Sequence, residues 1–240
     1  ISPTLTWYAG FARIGFGIGV ESNRLTMESR ASELSGQGQK VGLYGRLVVG
    51  GTRLTTLVGY GHTNQRSERS IRLGTDERRA RAEFGVKDWT ASIEARFAAS
   101  DLEAMTIEPL VSLGHYRTSY GSFAEQGAGT LGLNVDGRED GWWRGRVAVA
   151  VTGNPWELGF TALLPRATLA WVNDFSPVDR AHTARLQGAT GHPFTIRGPR
   201  VHGSGFEVGF GLQSHGSTGL VWSLDYTGEF RQDVTSHQAA

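Results

Sequence analysis

The side chains that most often carry out chemistry lie in no recognised catalytic arrangement in this sequence. Its seven histidines are scattered, and it has neither a Gly-x-Ser-x-Gly nucleophile elbow nor a His-Glu-x-x-His zinc motif. The absence of cysteine excludes disulfide scaffolds, thiolate metal sites and cysteine nucleophiles. A catalytic pair assembled by the fold stays open, but no nucleophile stands out. We therefore predict that the protein is not an enzyme and holds neither a metal ion nor a cofactor.

Two short stretches match a ligand-binding motif by letter alone. Residues 127–132, GAGTLG, match the dinucleotide fingerprint, which requires a strand before it and a helix after it so that the helix N-terminus meets the pyrophosphate. Residues 136–141, DGREDG, resemble a calcium loop, but Arg138 occupies a ligand position and Val147 stands where the bidentate Glu belongs. We interpret both stretches as polar loops of a glycine-rich protein.

Charged residues do recur in one regular setting, singly within runs of alternating apolar and polar residues. In residues 89–97, WTASIEARF, apolar side chains alternate with Thr90, Ser92, Glu94 and Arg96. Successive side chains of a strand point to opposite faces, so such charges share one face. The candidate functional residues of this kind are Arg13, Arg46, Glu94, Arg96, Glu108, Arg144, Arg146, Glu207 and Asp225.

The same alternation extends along the whole chain and predicts an all-β protein. The predicted strands are 13–21, 39–50, 52–62, 80–98, 104–118, 142–152, 156–174, 205–213, 220–227 and one that starts at Val234, with weaker patterns at 1–9 and 182–198. The strand at 156–174 is expected to change phase near residues 163–165. No helix is predicted, and without a linker or a fixed repeat we treat residues 1–240 as one domain.

Composition bears on which solvent each face of the strands meets. A soluble sandwich exposes its polar faces to bulk water, where Lys, Glu and Asp are favourable and Gly is not. Here the polar faces are rich in Gly, Ser and Thr, the chain has 34 glycines, and its only lysines are Lys40 and Lys87. Small residues with single fixed charges are typical of a wall around a narrow polar lumen, which favours a membrane barrel.

Aromatic residues near strand ends also favour a membrane barrel, because rings with a polar edge concentrate at the bilayer interface. These aromatic residues are Trp7, Tyr8, Trp142, Trp143, Trp156, Trp171, Phe175 and Tyr226. The 24 basic and 23 acidic residues nearly cancel, so charge gives no support for a nucleic-acid partner.

The connections between predicted strands alternate in length. Short turns are predicted at Gly50-Gly51, Ser100-Asp101, 153–155 and 214–219, and longer polar connections at 22–38, 63–79, 119–141 and 176–200. Outer-membrane barrels have short turns at the periplasmic end and longer loops outside.

Three stretches of this sequence resemble segments of a known family. Residues 163–175, LLPRATLAWVNDF, resemble a strand with Pro, apolar residues, Trp and a His-Glu-Phe-like end. Residues 195–230 resemble a Gly-rich strand followed by a Tyr-Asp-Gly-like strand, and residues 107–133 resemble the midsection, including Glu125-Gln126-Gly127. By their order and spacing along the chain, these stretches resemble the C-terminal translocator domain of autotransporters, the type V secretion proteins of Gram-negative bacteria.

The resemblance implies a transmembrane antiparallel up-and-down β-barrel of about 12 strands in the bacterial outer membrane. It also implies an α-helix that fills the barrel and links it to a secreted passenger on its N-terminal side. The implied partners are the lipid bilayer with its lipopolysaccharide, the protein's own passenger and linker helix, and the outer-membrane assembly machinery. Some family members cleave their own linker with acidic lumen residues.

The sequence departs from the family in two places. Asn173 stands where the family often has His, and the chain ends in TSHQAA where family members continue to a terminal aromatic residue. We therefore expect a last strand that is truncated or replaced, and a domain, 1–240, without passenger and linker helix.

The function predicted on this basis is translocation and anchoring of an N-terminal passenger in the outer membrane. The inward charges would hydrate the lumen and hold the linker helix through charge-assisted hydrogen bonds. Two alternatives stay open: a passive porin or adhesin-type barrel with binding loops, and a soluble β-sandwich binding module.

Overall fold

Strands make up almost all of the described part of the protein. The computed structural model describes residues 4–9, 11–27, 32–97, 100–159, 161–175, 181–189, 192–198, 203–216, 222–232 and 234–239. Within these ranges the only helical segment is one 3₁₀ turn, Gly129–Leu131. They contain no helix long and apolar enough to cross a membrane. The predicted all-β class is confirmed.

The strands are numbered in chain order. They are β1 (Thr4–Ala9), β2 (Ala12–Met27), β3 (Ser32–Val49), β4 (Thr52–Leu73), β5 (Asp76–Arg96), β6 (Ser100–Leu102), β7 (Met105–Tyr120), β8 (Phe123–Ala124), β9 (Leu133–Val135), β10 (Arg138–Gly153), β11 (Trp156–Leu158), β12 (Thr161–Asp174), β13 (Ala181–Leu186), β14 (Phe194–Arg197), β15 (Ser204–Gly216), β16 (Ser223–Arg231) and β17 (Thr235–Ala239).

The main sheet is an antiparallel meander in which each long strand pairs with the next. Its order is β1-β2-β3-β4-β5-β7-β10-β12-β15-β16-β17, with β6 pairing with β7 and β11 with β12. The second sheet, β14-β13-β9-β8, extends the same hairpins: the pair Phe123↔Val135 keeps the register of Tyr120↔Arg138. The wall of the main sheet therefore continues into the smaller one.

The main sheet curls around a single interior. One cavity is lined by side chains from β2 through β16, which requires the sheet to wrap around it. Because the meander has eleven strands, β1 and β17 run in the same direction, and within the described ranges no ladder joins them. One strand antiparallel to both would complete the even number found in bacterial barrels and the twelve that the resemblance implies.

The two ends of the sheet differ. We call the end at which β1, β3, β5, β10 and β15 finish the turn end, and the opposite end the hairpin end. Gly50 and Gly51 connect β3 to β4 at the turn end with φ of 55° and 79°, a left-handed conformation that glycine adopts without steric cost, so the predicted turn is confirmed. The predicted turn at Ser100-Asp101 is wrong, because these residues belong to β6 and the chain turns at residues 103–104.

Two predicted long loops at the hairpin end are wrong. The ladder between β2 and β3 continues to Met27↔Ser32, and that between β4 and β5 continues to Leu73↔Asp76. Both stretches are polar on each face, so the alternation that identifies a strand disappears while the backbone ladder continues. At 22 and 21 residues, β4 and β5 are about twice as long as the 9–11 residues that span a bilayer.

The predicted phase change near residues 163–165 is also wrong. The chain turns at Gly159, whose φ is 61°, and β11 folds back on β12. From Thr161↔Gly216 to Asn173↔Ser204 the register of β12 with β15 is unbroken. The apparent phase change comes from the turn, and Phe160 lies outside the described residues. The weak pattern at 182–198 corresponds to the hairpin of β13 and β14.

Apolar side chains form a belt on the outer face of the sheet. From Trp89 on β5 to Phe97 just after it, this face runs for nine residues, about 27 Å along the strand, which matches the roughly 9–11 residues that a tilted strand needs to cross a bilayer. Trp89 is 52% exposed and packs against Tyr60 at a ring distance of 4.9 Å, at the hairpin-end edge of the belt. A belt this apolar and this exposed is suited to hydrocarbon.

The aromatic residues predicted on the outer face divide between the two faces. Trp143 lies outside, 46% exposed and 4.7 Å from the His115 ring. Trp142 is the exception: it stacks on Tyr116 at 5.3 Å on the inner face, because neighbouring residues of one strand point in opposite directions. Trp7 and Tyr8 belong to β1, whose side chains lie outside the described part.

The belt predicts how the two faces tolerate charge. Phe210 is 60% exposed on the outer face, and Thr227 lines the interior one pair away in the ladder of β15 and β16. We expect Phe210→Arg to lower the free energy of unfolding in lipid by about 2–4 kcal/mol, because hydrocarbon cannot solvate the guanidinium. Thr227→Arg is the control and should cost much less. Equal losses in reversible unfolding in lipid vesicles would contradict the assignment of faces.

Candidate lumen site

The inner face brings most of the predicted site residues into one cavity of about 740 Å³. Alternation along each strand places their side chains on the concave side of the curled sheet. The predicted residues that line it are Arg13, Arg46, Glu94, Arg96, Glu108, Arg146, Glu207 and Asp225. Arg144 belongs to a second group described below.

Three ion pairs line this cavity, two of them between strands and one within β5. Arg53 Nη2 lies 3.1 Å from Glu108 Oε1, Arg96 Nε donates to Glu94 at 2.8 Å, and Arg146 Nη2 donates to Glu207 at 2.6 Å. The side chains of Arg146 and Glu207 are only 19% and 18% exposed. Charge-assisted hydrogen bonds are stronger in such an enclosed site than in bulk water, so the Arg53–Glu108 and Arg146–Glu207 pairs hold non-adjacent strands together, β4 with β7 and β10 with β15.

Positive charge is in excess in the same cavity. Six arginines line it, Arg53 and Arg166 in addition to those predicted, against the four carboxylates of Glu94, Glu108, Glu207 and Asp225. The lining therefore carries two uncompensated positive charges.

The excess is concentrated on strands β2 to β5. Arg13 stands directly opposite Arg46, and Arg53 directly opposite Arg96, although like charges in such positions repel. Among the described residues Arg46 forms no ion pair, and the charges that act on it most are arginines. This sector of the lumen is suited to an anionic group.

A second group of charges, the ion cluster, lies nearer the hairpin end. Arg144 donates to both carboxylate oxygens of Asp174, at 2.7 and 3.3 Å, and lies 3.4 Å from Glu229. Arg231, whose side chain is 2% exposed, contacts Asp174 at 3.1 Å and also pairs with Glu229. Two cations and two anions balance, so this cluster ties β10, β12 and β16 together.

Glycine makes the ion cluster possible. Gly205 on β15 lies between β12 and β16, and a Cβ there would come within 2.7 Å of Arg231 Cγ. Without a side chain on Gly205, Arg231 crosses the intervening strand and reaches Asp174.

Sequence reasoning missed five charged residues of the cavity and the ion cluster: Arg53, Arg166, Asp174, Glu229 and Arg231. Arg53 is in phase with the inner face of the predicted strand 52–62, so its position was available from the alternation. Arg166 follows directly after residues 163–165, where a phase change was wrongly predicted, so the face of its side chain was not assigned. Asp174, Glu229 and Arg231 stand at strand ends, and only the register of β10, β12, β15 and β16 brings them together.

The loop after β7 is fixed to the inner face of the β4–β5 hairpin. Glu125, 6% exposed in its side chain, accepts hydrogen bonds from Arg69 Nε at 2.7 Å and Nη2 at 2.6 Å, and these raise the pKa of the Arg69 guanidinium. Gln126 exchanges backbone hydrogen bonds with Arg81. Gly127 has a φ of 85°, and a Cβ there would lie 2.5 Å from a carbonyl oxygen of β5. These contacts explain the Glu125-Gln126-Gly127 sequence.

Comparison with known proteins decides which kind of barrel this is. The family model of the autotransporter beta-domain matches residues 6–227. The chain belongs to the autotransporter β-domain family. Two solved structures share its fold: the translocator domain of autotransporter NalP from Neisseria meningitidis and the beta domain of the Bordetella autotransporter BrkA.

The two structural matches cover nearly the whole chain at low sequence identity. The NalP domain is 13% identical, with a TM-score of 0.71 over 99% of this chain and 76% of that one. The BrkA domain is 16% identical, with a TM-score of 0.60 over 98% of this chain and 83% of that one. No curated protein sequence matches the chain.

This autotransporter β-domain is therefore an outer-membrane β-barrel of a passenger-secretion family. The three stretches that carried the resemblance correspond to β12, to β14 through β16, and to β7 through β9. Neither the porin-type barrel nor the soluble sandwich is favoured by these findings.

The ion cluster predicts a large effect of one inner-face substitution. Arg231→Ala leaves Asp174 and Glu229 with a single arginine in a largely buried setting, where breaking such a pair costs about 3–5 kcal/mol. Arg166→Ala is the control, because Arg166 lines the cavity without an ion pair among the described residues and should change stability by no more than about 0.5 kcal/mol. Denaturant unfolding in detergent micelles compares the two, and similar midpoints would mean that the cluster does not stabilise the wall.

Proposed function

We propose that this barrel carries a passenger that precedes it in the chain across the outer membrane and then anchors it. The observation that supports this most is a charged lumen within the wall of an autotransporter β-domain. In this proposal the lumen is first a hydrated conduit. It then holds the segment that links passenger and barrel.

The inner-face charges would act on that segment directly. Arg13, Arg46, Glu94, Arg96, Glu108, Arg144, Arg146, Glu207 and Asp225 are the proposed contact residues. Polar side chains spread around the whole wall keep the conduit hydrated, whereas an apolar lining would let the passenger adhere. The linking segment, an α-helix by resemblance to the family, would then exchange some cross-strand ion pairs for contacts with its own side chains.

The sign of the lumen charge defines the chemistry of the linking segment. Arg13 and Arg46 face each other, and the cavity has two more arginines than carboxylates. We propose that the segment places Asp or Glu side chains at this level. A carboxylate between the two guanidiniums would turn their repulsion into two charge-assisted hydrogen bonds.

Bond cleavage is not part of this proposal. Glu94, Glu108 and Glu207 each already accept a hydrogen bond from an arginine of the wall, as expected of carboxylates that shape a lumen. Assembly of the barrel by the outer-membrane machinery and contact with lipopolysaccharide complete the proposed set of partners.

Surface display tests the proposed secretion. A protease-sensitive passenger is placed upstream of the barrel in the full-length protein, and its cleavage by external protease is measured on intact cells. We expect efficient cleavage for the parent and none for a variant that lacks β15 and β16, because the lumen wall is then incomplete. Equal cleavage of both at matched expression and membrane integrity would mean that the barrel does not carry the passenger.

Ion selectivity tests the proposed lumen chemistry separately. A positively charged lumen concentrates anions, so the purified barrel in planar bilayers should give a reversal potential of the anion-selective sign under a salt gradient. Arg46→Glu should shift it towards cation selectivity, whereas Arg46→Lys, which keeps the charge, should not. Cation selectivity of the parent would contradict the assigned lumen charge without bearing on passenger display.

A further inference from the structure

One of the two lysines lies on the outer face, at the edge of the apolar belt. Lys87 is on β5, two residues beyond Trp89 towards the hairpin end, and shares its face. Across the ladder it stands opposite His62 on β4 and Ser119 on β7, while Arg117 stands opposite Trp89. The side chains of His62, Lys87 and Arg117 are all exposed.

Lys87 differs from nearby charges in having no carboxylate partner. The other lysine, Lys40, forms an ion pair of 2.5 Å with Glu21 on the inner face. Arg117 pairs with Glu139 at 2.6 Å on the outer face. Within the described residues Lys87 forms neither an ion pair nor a side-chain hydrogen bond. An ammonium group with all three donors open is thus held beside the aromatic edge.

This height on the wall is where lipid phosphates lie. The Tyr60 and Trp89 rings mark the apolar boundary, and aromatic residues take that position at the level of the headgroups. A cation one row beyond them can reach a headgroup phosphate while its aliphatic stem stays against the belt. In barrels of this class the end with longer hairpins faces outward, so these phosphates belong to the outer leaflet.

We propose that Lys87, with Arg117 and His62 beside it, forms a binding site for a phosphate group of lipopolysaccharide on the outer wall. A sugar phosphate supplies a dianion and several acceptor oxygens, which suits an ammonium group with open donors and a guanidinium that can share its donors with Glu139. The aromatic edge contacts the acyl chains next to that phosphate. The proposal rests on the proposed function only for the orientation of the barrel in the outer membrane.

The experiment measures binding of lipid A by the full-length protein purified from outer membranes. Bisphosphorylated lipid A is titrated into detergent-solubilised protein, with dephosphorylated lipid A and phosphatidylglycerol as comparison lipids. The heat-modifiable mobility of the barrel gives its thermal midpoint at each concentration, and a lipid that binds the folded state raises it. We expect lipid A to raise the midpoint, and the dephosphorylated form to raise it much less.

Variants assign the effect to Lys87. Lys87→Gln should weaken lipid A binding about fivefold, the effect of one interfacial positive charge, and Lys87→Arg should restore it. Arg72→Gln removes a positive charge from the tip of the same hairpin, far from the belt, and should leave binding unchanged. Because Lys87 forms no ion pair among the described residues and the Arg72–Glu77 pair is exposed to solvent, the folded fraction without lipid should be nearly the same in all variants.

Three results would overturn the proposal. They are equal affinity of parent and Lys87→Gln for lipid A, equal binding of phosphorylated and dephosphorylated lipid A, and equally tight binding of phosphatidylglycerol, which would indicate general attraction of anionic lipids. Passenger display is not part of this measurement. Loss of display with intact lipid A binding would overturn the proposed function alone, and the reverse would overturn this inference alone.

Discussion

A polypeptide in hydrocarbon must form its backbone hydrogen bonds with itself, and the rest of this structure depends on that constraint. Lipid offers no partner to an N–H or C=O group, so in the antiparallel meander each long strand between β1 and β17 pairs on both sides. Pairing in a curled sheet leaves one face of every strand to lipid and the other to the interior. The alternation of apolar and polar residues along the chain follows from these two environments.

The inner face shows how fixed charges are accommodated in an enclosed space. Most carboxylates are held by arginines on other strands, as with Arg146 and Glu207 or Arg53 and Glu108. Glycines on intervening strands let long side chains cross them, as Arg231 does over Gly205. The facing arginines Arg13 on β2 and Arg46 on β3 depart from this balance. They contribute to the net positive charge of the lumen.

The sequence predicted the strands well inside the apolar belt and poorly outside it. Within the belt, segments such as residues 13–21 and 89–97 were predicted on the correct face, because lipid on one side and a polar lumen on the other impose strict alternation. Beyond the belt, water borders both faces, and the hairpins that end at Met27 and Leu73 resembled loops. Gly159 produced the opposite error, in which a turn between two apolar strands resembled one long strand with a shifted phase.

The sequence by itself determined the all-β class, the two faces of each membrane strand and the family, since these depend on residue types at local spacing. The predicted inner-face residues were likewise available from alternation alone. Tertiary structure decided which of these charges meet: Arg231 and Asp174 are 57 positions apart, and Glu125 and Arg69 are 56 apart. Such contacts depend on the register of successive hairpins and on the curvature of the sheet. Both are properties of the assembled wall, and no single strand encodes them.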